Sequence, residues 1–569
     1  MSISRRTTRS GPPRRGLSRT HRLAAAALAL SLVAISCGKA EETGDNGGAQ
    51  NNGPVDESTL TPTPGGSLVY ALEADPGGGT SGFCIPEAQF AISGIMVSRT
   101  IYDTLAIPNE KGDYVGALAE KMTPNATFDS WEIKLRSGIK FHDGTALDAT
   151  VVKNNIDSWL GKYPGRAPLL LVFVYENVKD VTVDDDLTLT ITTKKPWPAL
   201  PAYLWNSGRS GIMGQSQLDS KNCATELNGT GPFKYVNYTQ GDSFEAVKNP
   251  NYWQKDAKGV QLPYLDKITY KFVPDGPQRV NGLITGDFQI GHTSGGDEIT
   301  DLRTAKDEGK INLIESDAFG EVSYAMLNSS KEPFNNKDAR LAVAYGLNTD
   351  DIILATENGV PKKANGPFNK GNVGYLDDTG FPTHDEAKAK EHLAAYTAAT
   401  GKKLEITIGS TNDAGTLDIA KLAKSQAEAL GVTVNIDAFE QGQLINKALE
   451  GNFDALLWRN HPGGDPDTQY VWWHSGSPVN FGKINDPDID RLLESGRVET
   501  DPAKRKTIYE DLNRRFGSEA YNLWNWFTLW SVTTSPKVRG VYGTDLPDGS
   551  KPNLSLATGH SVAGLWIEQ

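Results

Sequence analysis

The sequence predicts an α/β protein whose second half contains a mainly parallel sheet. Three features of residues 404–457 lead to this class. Short apolar strands are expected at 404–408, 432–436 and 453–457, helices at 417–430 and 443–449 separate them, and a glycine follows each helix. Strands that alternate with helices are joined by right-handed crossovers, which give parallel neighbours.

The last of these strands is expected to end abruptly at Trp458 and to continue as the polar loop 458–467. In open α/β sheets, ligands bind in the crevice beyond the carboxyl ends of the strands. We therefore expect this loop to line a solute-binding cleft that the remaining chain builds and closes.

The length and the net charge limit the number of domains and the classes of partner that this chain can have. A chain of 569 residues is too long for one hydrophobic core, so two or three domains are expected. The formal net charge is −13, and the first 36 residues hold seven arginines and no acidic residue, so the rest is more acidic still. Such a body argues against binding to nucleic acid and against electrostatic docking onto anionic lipid.

Residues 1–36 are expected to be a lipoprotein signal peptide. Seven arginines precede the apolar run 23–35, which is too short for a stable bilayer anchor. The run ends in Ala34-Ile35-Ser36-Cys37, which resembles the bacterial lipobox and implies a lipidated Cys37. Two arginine pairs leave twin-arginine export open beside the general secretory route.

Residues 37–65 are expected to be a flexible tether, because Gly, Asn, Glu, Thr and Pro dominate and little apolar surface can be buried. Only two cysteines remain beyond it, Cys84 and Cys223. An even pair in an oxidising compartment predicts one disulfide bond, and the alternative is two separate buried thiols.

Five sequence segments carry a resemblance to a known family. They are GGSLVYAL at 65–72, WEIKLRSGIKFHDGT at 131–145, GTGPF at 229–233, NPNYW at 249–253 and PFNNKDARLAVAYGLN at 333–348. In this order and spacing they resemble the large solute-binding proteins of bacterial ABC importers, family 5, the oligopeptide/dipeptide/nickel-binding class. The resemblance runs from about residue 65 to the C-terminus.

This resemblance implies a two-lobed fold of the periplasmic-binding-protein type (type II, cluster C) with an extra domain inserted in lobe one. On that pattern, lobe one combines 66–105, 225–320 and 525–569, the inserted domain is 106–224, and lobe two is 321–524. The lobes would close on a solute by hinge motion at two crossings, near 317–324 and 520–528.

Signatures of catalysis are missing from the sequence. It contains no GxSxG elbow, Walker-type phosphate loop, HExxH or CxxC, and its eight histidines show no metal-ligand spacing. We therefore expect a protein that is not an enzyme and that needs no metal and no other cofactor.

Aromatic and polar side chains are candidates for solute binding. The aromatic ones are Trp205, Tyr324, Trp458, Trp472 and Trp473, and the alternative for each of them is core packing. The polar ones are Arg459, Asn460, His461, Asp465, Asp467 and Asn480. Arg459 offers a fork for a carboxylate or a phosphate, and Asp465 is expected to accept an amine.

One departure from the family pattern concerns the solute. Peptide-binding relatives usually carry an acidic residue three positions after the equivalent of Trp458, where it holds the peptide's amino group. His461 stands there in this chain, and Asp465-Pro466 comes one residue late. A metal site of His461 with Asp465 and Asp467 is the less favoured interpretation, because GGDPD is typical of a turn.

The function expected from these features is that of a lipid-anchored, monomeric solute receptor on the outer face of the cell membrane. It would capture peptides or peptide-like solutes and deliver them to an ABC permease. The alternatives are a receptor for another small solute, such as a nickel chelate or a sugar, a secreted hydrolase, or a chaperone-like surface protein.

Overall fold

The computed structural model describes Glu57, residues 60–76, Phe83, Cys84, and residues 91–168, 171–460 and 463–569. The predicted signal peptide, Cys37, nearly all of the predicted tether and His461 lie outside the described residues. Among the described residues, no helix is both long and apolar enough to cross a membrane.

The described strands are β1 (Ser67–Leu72), β2 (Ala106–Pro108), β3 (Tyr114–Gly116), β4 (Ala119–Pro124), β5 (Ser130–Leu135), β6 (Val178–Asp185), β7 (Thr188–Thr193), β8 (Phe233–Thr239), β9 (Ser243–Lys248), β10 (Lys267–Phe272), β11 (Ile290–Thr293), β12 (Asn312–Ser316), β13 (Val322–Leu327), β14 (Lys362–Lys363), β15 (Glu405–Thr411), β16 (Thr433–Phe439), β17 (Ala455–Asn460), β18 (Asn522–Phe527), β19 (Trp530–Thr534), β20 (Val538–Arg539) and β21 (Trp566–Ile567). The described α-helices are α1 (Ile92–Ile101), α2 (Ala149–Trp159), α3 (Leu171–Tyr175), α4 (Leu200–Trp205), α5 (Gln215–Asp219), α6 (Gly276–Thr285), α7 (Gly296–Asp307), α8 (Lys337–Gly346), α9 (Thr349–Glu357), α10 (Glu386–Thr400), α11 (Ala414–Ala429), α12 (Gln441–Glu450), α13 (Tyr470–Trp473), α14 (Pro487–Val498) and α15 (Pro502–Glu519).

A seven-stranded sheet in the order β12-β19-β11-β1-β10-β9-β8 forms the first lobe. Strand β1 lies at its centre, parallel to β10 and β11, because its sequence SLVYAL is apolar enough to be covered on both faces. Strand β19 joins from the far end of the chain and runs antiparallel to β11 and β12. The sheet thus collects strands from segments that the sequence analysis assigned to lobe one.

A six-stranded sheet in the order β14-β18-β13-β17-β15-β16 forms the second lobe. The expected alternation is present, since β15, β16 and β17 are parallel and α11 and α12 connect them. The expectation of a mainly parallel sheet is wrong for the other half, where β13, β14 and β18 pair antiparallel. Strand β13 enters from lobe one and runs opposite to β17, whereas β18 returns to lobe one and runs in the same direction as β17.

Strand β17 is longer than expected. The apolar run suggested an end at Trp458, but Trp458, Arg459 and Asn460 all belong to the strand. They pair with Tyr324, Ser323 and Val322 of β13. Backbone hydrogen bonds to the neighbouring strand hold these residues extended although their side chains are polar or amphipathic, so they sit on a rigid element and not on a loop.

A four-stranded antiparallel sheet, β4-β5-β7-β6, forms the core of the inserted segment. Strand β5 buries Trp131, Ile133 and Leu135 and exposes Glu132 and Lys134, as strict alternation predicts. The insertion also packs on lobe two: the ring of Phe173 stacks on Tyr470 at 5.4 Å. Two hydrogen bonds join the same parts of the chain. Trp197 Nε1 donates to Asp467 Oδ2 at 3.0 Å, and Arg497 Nη2 donates to the carbonyl oxygen of Val174 at 2.8 Å.

Candidate functional site

The carboxyl ends of strands from both sheets meet between the lobes. In lobe one, β1 and β11 end just before Glu73 and Ser294, and in lobe two β17 ends at Asn460. The chain crosses between the sheets at 317–321 and at 528–529. We call the region between Glu73, Ser294 and Trp530 on one side and Glu321, Trp458 and Arg459 on the other the interlobe cleft.

Arg459 bridges the interlobe cleft. Its Nη1 donates to Ser294 Oγ at 2.9 Å, and its Nη2 donates to Glu73 Oε1 at 3.2 Å. Glu321 Oε2 lies 3.6 Å from Nη1, and the guanidinium stands 5.4 Å from the ring centroid of Trp530. The fork that the sequence analysis offered to a solute carboxylate is therefore engaged by the protein's own carboxylates, and the two lobes are in contact.

Burial and charge act against each other on these groups. Burial raises the pKa of Arg459's two carboxylate partners, and the guanidinium lowers it. For Glu73 the guanidinium prevails and the pKa is lowered, whereas for Glu321 burial prevails and the pKa is raised. Burial acts to lower the pKa of Arg459, but Glu321 and Glu73 raise it overall. The cleft therefore holds a permanently charged guanidinium between two carboxylates.

Trp458 presents an aromatic surface beside this bridge. Its side chain is half-buried, and its ring meets Phe481 edge to face at 5.7 Å. A half-buried tryptophan at the carboxyl end of a strand still offers apolar area to a ligand. Its place in the strand and its partial exposure fit the predicted role, which stays a prediction.

Two other aromatic candidates lie in the core of lobe two. Tyr324 and Trp473 are each 2% exposed, and both pack against Trp524, which is itself 1% exposed. Trp473 also meets Phe516 edge to face and donates its Nε1 hydrogen bond to Gln469. Counting aromatics could not separate them from Trp458, because the sequence does not show which face of an element is covered by a later helix.

Trp205 lies at the end of α4 in the inserted segment and is 5% exposed. The Arg99 guanidinium stands 4.7 Å from its ring centroid and donates to the carbonyl oxygens of Thr558 and Gly559. Trp205 thus packs against lobe one. Nothing in its described contacts brings it to Trp458. Trp472 is also buried, at 8% exposed.

The polar candidates after β17 have protein partners. Both carboxylate oxygens of Asp465 accept from Arg505, at 2.6 and 2.9 Å, and Oδ1 also accepts from the Asp467 backbone amide. Asn480, 2% exposed, holds a turn by bonding the backbone of Ile484. The amine-accepting role proposed for Asp465 has no support in this arrangement, because the carboxylate already has a bidentate partner.

Other residues of the cleft were missed by the sequence analysis. Glu73 and Ser294 each follow a strand of lobe one, and Glu321 lies on the crossing into β13. The rule that pointed to loop 458–467 also applies to β1 and β11, so the signal was present for the first two. Nothing local marks Glu321, whose partner Arg459 lies far along the chain.

Two α/β lobes, joined by two crossings and meeting at the carboxyl ends of their strands, define the two-lobed type II periplasmic binding protein fold. In this class a ligand binds between the lobes, and closure is a hinge motion of one lobe against the other.

Comparison with known proteins gives the family. Residues 113–482 match the model of the bacterial extracellular solute-binding proteins, family 5. The chain belongs to this family. This confirms the resemblance stated from the five sequence segments.

Curated relatives are binding proteins of transporters. One is the probable D,D-dipeptide-binding periplasmic protein DdpA of Escherichia coli K12, 25% identical over 442 residues, covering 75% of this chain and 82% of the relative. Another is the oligopeptide-binding protein AppA of Bacillus subtilis 168, 24% identical over 505 residues, covering 83% and 88%. The relatives confirm that this protein is a binding protein and not an enzyme.

Solved structures confirm the two-lobed fold. The protein AgaA in complex with agropinic acid, from A. tumefaciens R10, superposes with a TM-score of 0.77 at 25% identity, covering 89% of this chain and 99% of that one. DppA from Helicobacter pylori with the peptide STSA also gives 0.77, at 22% identity and with coverage of 89% and 99%.

Proposed function

We propose that this protein is the lipid-anchored receptor of an ABC importer, and that it captures peptides or peptide-like solutes in the interlobe cleft and delivers them to the membrane permease. The observation that carries the proposal is the meeting of strand ends from two lobes around a half-buried Trp458. Relatives named as dipeptide- and oligopeptide-binding proteins support the solute class.

The charged groups of the cleft already have protein partners, and this limits which contacts we propose for the solute. Arg459 is bound to Glu73 and Ser294, and Asp465 is bound to Arg505, so neither is free for a terminal carboxylate or amine in this closed arrangement. We therefore assign the main contact to the ring of Trp458 and to backbone groups near the end of β17. An aromatic face tolerates many solute side chains, which suits a receptor for a class of peptides.

A second candidate is a receptor for a small organic acid or a conjugate that has no free amine. The observation that favours it is the lack of an unpaired carboxylate among the described residues after β17, where peptide receptors of the family hold the amine. The solved relative with agropinic acid, similar over nearly the whole chain, supports this candidate.

Anchoring and export are part of the proposal. The arginine-rich start, the apolar run and the Ala34-Ile35-Ser36-Cys37 segment support cleavage before Cys37 and its lipidation. The disulfide bond between Cys84 and Cys223 fits an oxidising compartment outside the cytoplasm. The mass of the protein extracted from membranes tests this: a mature chain that starts at an acylated Cys37 supports it, and an unprocessed N-terminus contradicts it.

Capture would follow a two-state scheme. The open form admits solute, and closure is favoured only as far as the solute makes better contacts with the closed form than with the open one. The crossings at 317–321 and 528–529 are the natural hinge, because only these two segments connect the described parts of the sheets directly.

Native mass spectrometry of freshly purified protein tests the function. One co-purifying solute per chain, identified by its mass and rebinding in calorimetry with 1:1 stoichiometry, is expected. A protein that carries nothing, and that shows no thermal shift with a panel of di- to nonapeptides, would contradict the peptide assignment. Binding of small organic acids in the same panel would favour the second candidate.

Trp458→Ala is expected to weaken solute affinity by roughly 10- to 100-fold, since a buried aromatic face contributes about 1.5–3 kcal/mol. Trp458→Phe, which keeps an aromatic face, is the matched control and should lose much less. Calorimetric titration measures the affinities, and circular dichroism verifies that both variants stay folded. Unchanged affinity in a folded Trp458→Ala protein would place the solute elsewhere.

A further inference from the structure

A second contact between the lobes carries an ionisable group, Glu357, that the proposed solute site does not use. It lies where the end of α9 in lobe two meets the start of α7 in lobe one. The groups around it are the carboxylates of Glu73, Asp297, Glu298, Glu321, Glu357 and Asp413 and the guanidiniums of Arg279 and Arg459. Carboxylates outnumber guanidiniums, so closing the lobes brings an excess of negative charge together.

Glu357 is the residue that touches the opposite lobe here. It is the last residue of α9 and 8% exposed, and its Oε2 accepts a 2.7 Å hydrogen bond from the backbone amide of Gly296, the first residue of α7. The approach is so close that a Cβ on Gly296 would lie 2.1 Å from the Glu357 carbonyl oxygen. The carboxyl group is therefore buried where the two lobes meet, and it is bonded to the opposite lobe.

The elements around α9 differ in the charge that they place near Glu357. Helix α7 brings Asp297 and Glu298, which oppose ionisation, and β17 brings Arg459, which favours it. Glu298 is itself paired with Arg279 at 2.8 Å.

The basic residues of the neighbouring strand do not relieve Glu357. Lys362 and Lys363 of β14 are bound to Asp317 and Asp350, at 2.9 and 2.8 Å. Asp413, the N-cap of α11, accepts from Thr411 and Thr416 and adds a further carboxylate near Arg459. Strand β18 brings no charged side chain. The carboxylates that act on Glu357 therefore come from α7, and the one guanidinium that acts on it, that of Arg459, is shared with Glu73 and Glu321.

We propose that closure of the interlobe cleft takes up a proton at Glu357, so that solute capture strengthens as the medium outside the cell becomes more acidic. The inference rests on the proposed function for the solute, but the closure equilibrium itself needs no solute. Glu357 acts as a positioning residue that sets the balance between open and closed lobes and does not touch the solute.

The direction of the pH effect on closure follows from the environment of the Glu357 carboxyl group. Burial, together with Asp297 and Glu298, raises the pKa of Glu357 to about 7 in the closed lobes, against an ordinary value of 4.5. A group whose pKa is raised on closure stabilises the closed form while it is protonated. That stabilisation is complete below the ordinary pKa and is lost as the pH rises through about 7. The stability of the closed form relative to the open form should therefore change between about pH 5 and pH 8.

The size of the pH effect on closure follows from the two pKa values of Glu357, about 7 in the closed lobes and 4.5 ordinarily. If opening returns Glu357 to its ordinary pKa, the closed-to-open ratio falls up to about 30-fold between pH 5.5 and pH 8.5. By linkage, solute binding near pH 6 should take up roughly 0.9 proton per molecule.

The experiment compares wild type with Glu357→Gln, a neutral isostere of the protonated acid. Small-angle scattering, or a distance between one fluorophore on each lobe, reports closure of the solute-free protein from pH 5.5 to pH 8.5. Wild type is expected to open as the pH rises, and Glu357→Gln is expected to stay at the wild-type low-pH value throughout. Glu450→Gln, at the exposed end of α12, is the matched control and should follow wild type.

The outcomes separate this inference from the proposed function. A wild type whose closure does not change with pH, or a Glu357→Gln protein that keeps the wild-type pH dependence, overturns the proton-linked closure. A protein that closes as expected but binds no peptide or organic acid at any pH leaves the inference standing and overturns the proposed function. Where a solute is known, calorimetry in buffers of different ionisation enthalpy measures the proton uptake directly.

Discussion

The pair Asp465–Arg505 gives a sharp test, because sequence and structure assign Asp465 different roles. The sequence offers its carboxylate to a solute amine, whereas the structure binds both of its oxygens to Arg505 of α15. Asp465→Asn is the informative change. Asparagine keeps the shape and an oxygen that can accept from the Asp467 amide, and it removes only the charge that faces Arg505.

The expected loss of stability in Asp465→Asn follows from the burial of the two side chains. The Asp465 and Arg505 side chains are 18% and 15% exposed, so the guanidinium would be left largely desolvated without its counter-charge. Removing one partner of a buried pair costs about 3–5 kcal/mol, whereas an exposed pair contributes about 0–1 kcal/mol. Because some water reaches both groups, we expect Asp465→Asn to lower the free energy of unfolding by about 3 kcal/mol.

The matched control lies on the same helix. Asp511 and Arg514 are 2.7 Å apart, but both side chains are about half exposed, so Asp511→Asn should change stability by less than about 1 kcal/mol. Urea unfolding followed by tryptophan fluorescence measures both variants, and calorimetry measures solute affinity. Asp465→Asn should lose stability and bind solute normally once folded. An Asp465→Asn protein of unchanged stability that has lost its solute would refute the structural role.

Two further predictions concern stability. Although burial acts to raise the pKa of Asp486, hydrogen bonds from Arg515 and Tyr521 lower it, so its stabilisation is present above the ordinary aspartate pKa and lost as pH falls through the lowered value. Asp486→Asn should therefore reduce stability at pH 7 but not at pH 2, as measured by urea titration. Cys223→Ala removes the disulfide bond between Cys84 and Cys223, which are 139 residues apart in the sequence. On the chain-entropy model this should lower the free energy of unfolding by about 5 kcal/mol. Equal urea midpoints for the variant and wild type would contradict this prediction.

The repeating part of lobe two could be predicted from the sequence because its determinants are local. Apolar runs, helical periodicity and a glycine after each helix are all read within about 15 residues, and β15, α11, β16 and α12 lie where this pattern indicates. The end of β17 could not be predicted in that way. Its last three residues are held by pairing with β13, which lies more than 120 residues earlier in the chain.

The partners of the charged candidates could not be predicted either. Arg459 and Glu73 are separated by 386 residues and Asp465 and Arg505 by 40, and no spacing rule connects either pair. A charged residue after a strand is compatible both with a ligand contact and with an ion pair inside the protein. Only the return of α15 beside Asp465, and of β1 opposite β17, decides between the two.

The position of Glu321 bears on how Arg459 can bridge two lobes that, on our proposal, open and close. Glu321, on the crossing, directly precedes Val322, whose backbone pairs with Asn460, so its carboxylate lies beside the end of β17 that carries Arg459. If the lobes part as proposed, we expect Arg459 to lose Glu73 and Ser294 and to keep Glu321 at its side. On that expectation the guanidinium keeps one partner and gains water in the open form, so opening would not carry the penalty of an isolated buried charge. Closure would exchange water around Arg459 for the carboxylate of Glu73 and the hydroxyl of Ser294. Because the partners of Arg459 are exchanged and not simply lost, we expect the free energies of the open and closed forms to be close enough for a solute, or a single proton, to shift the balance.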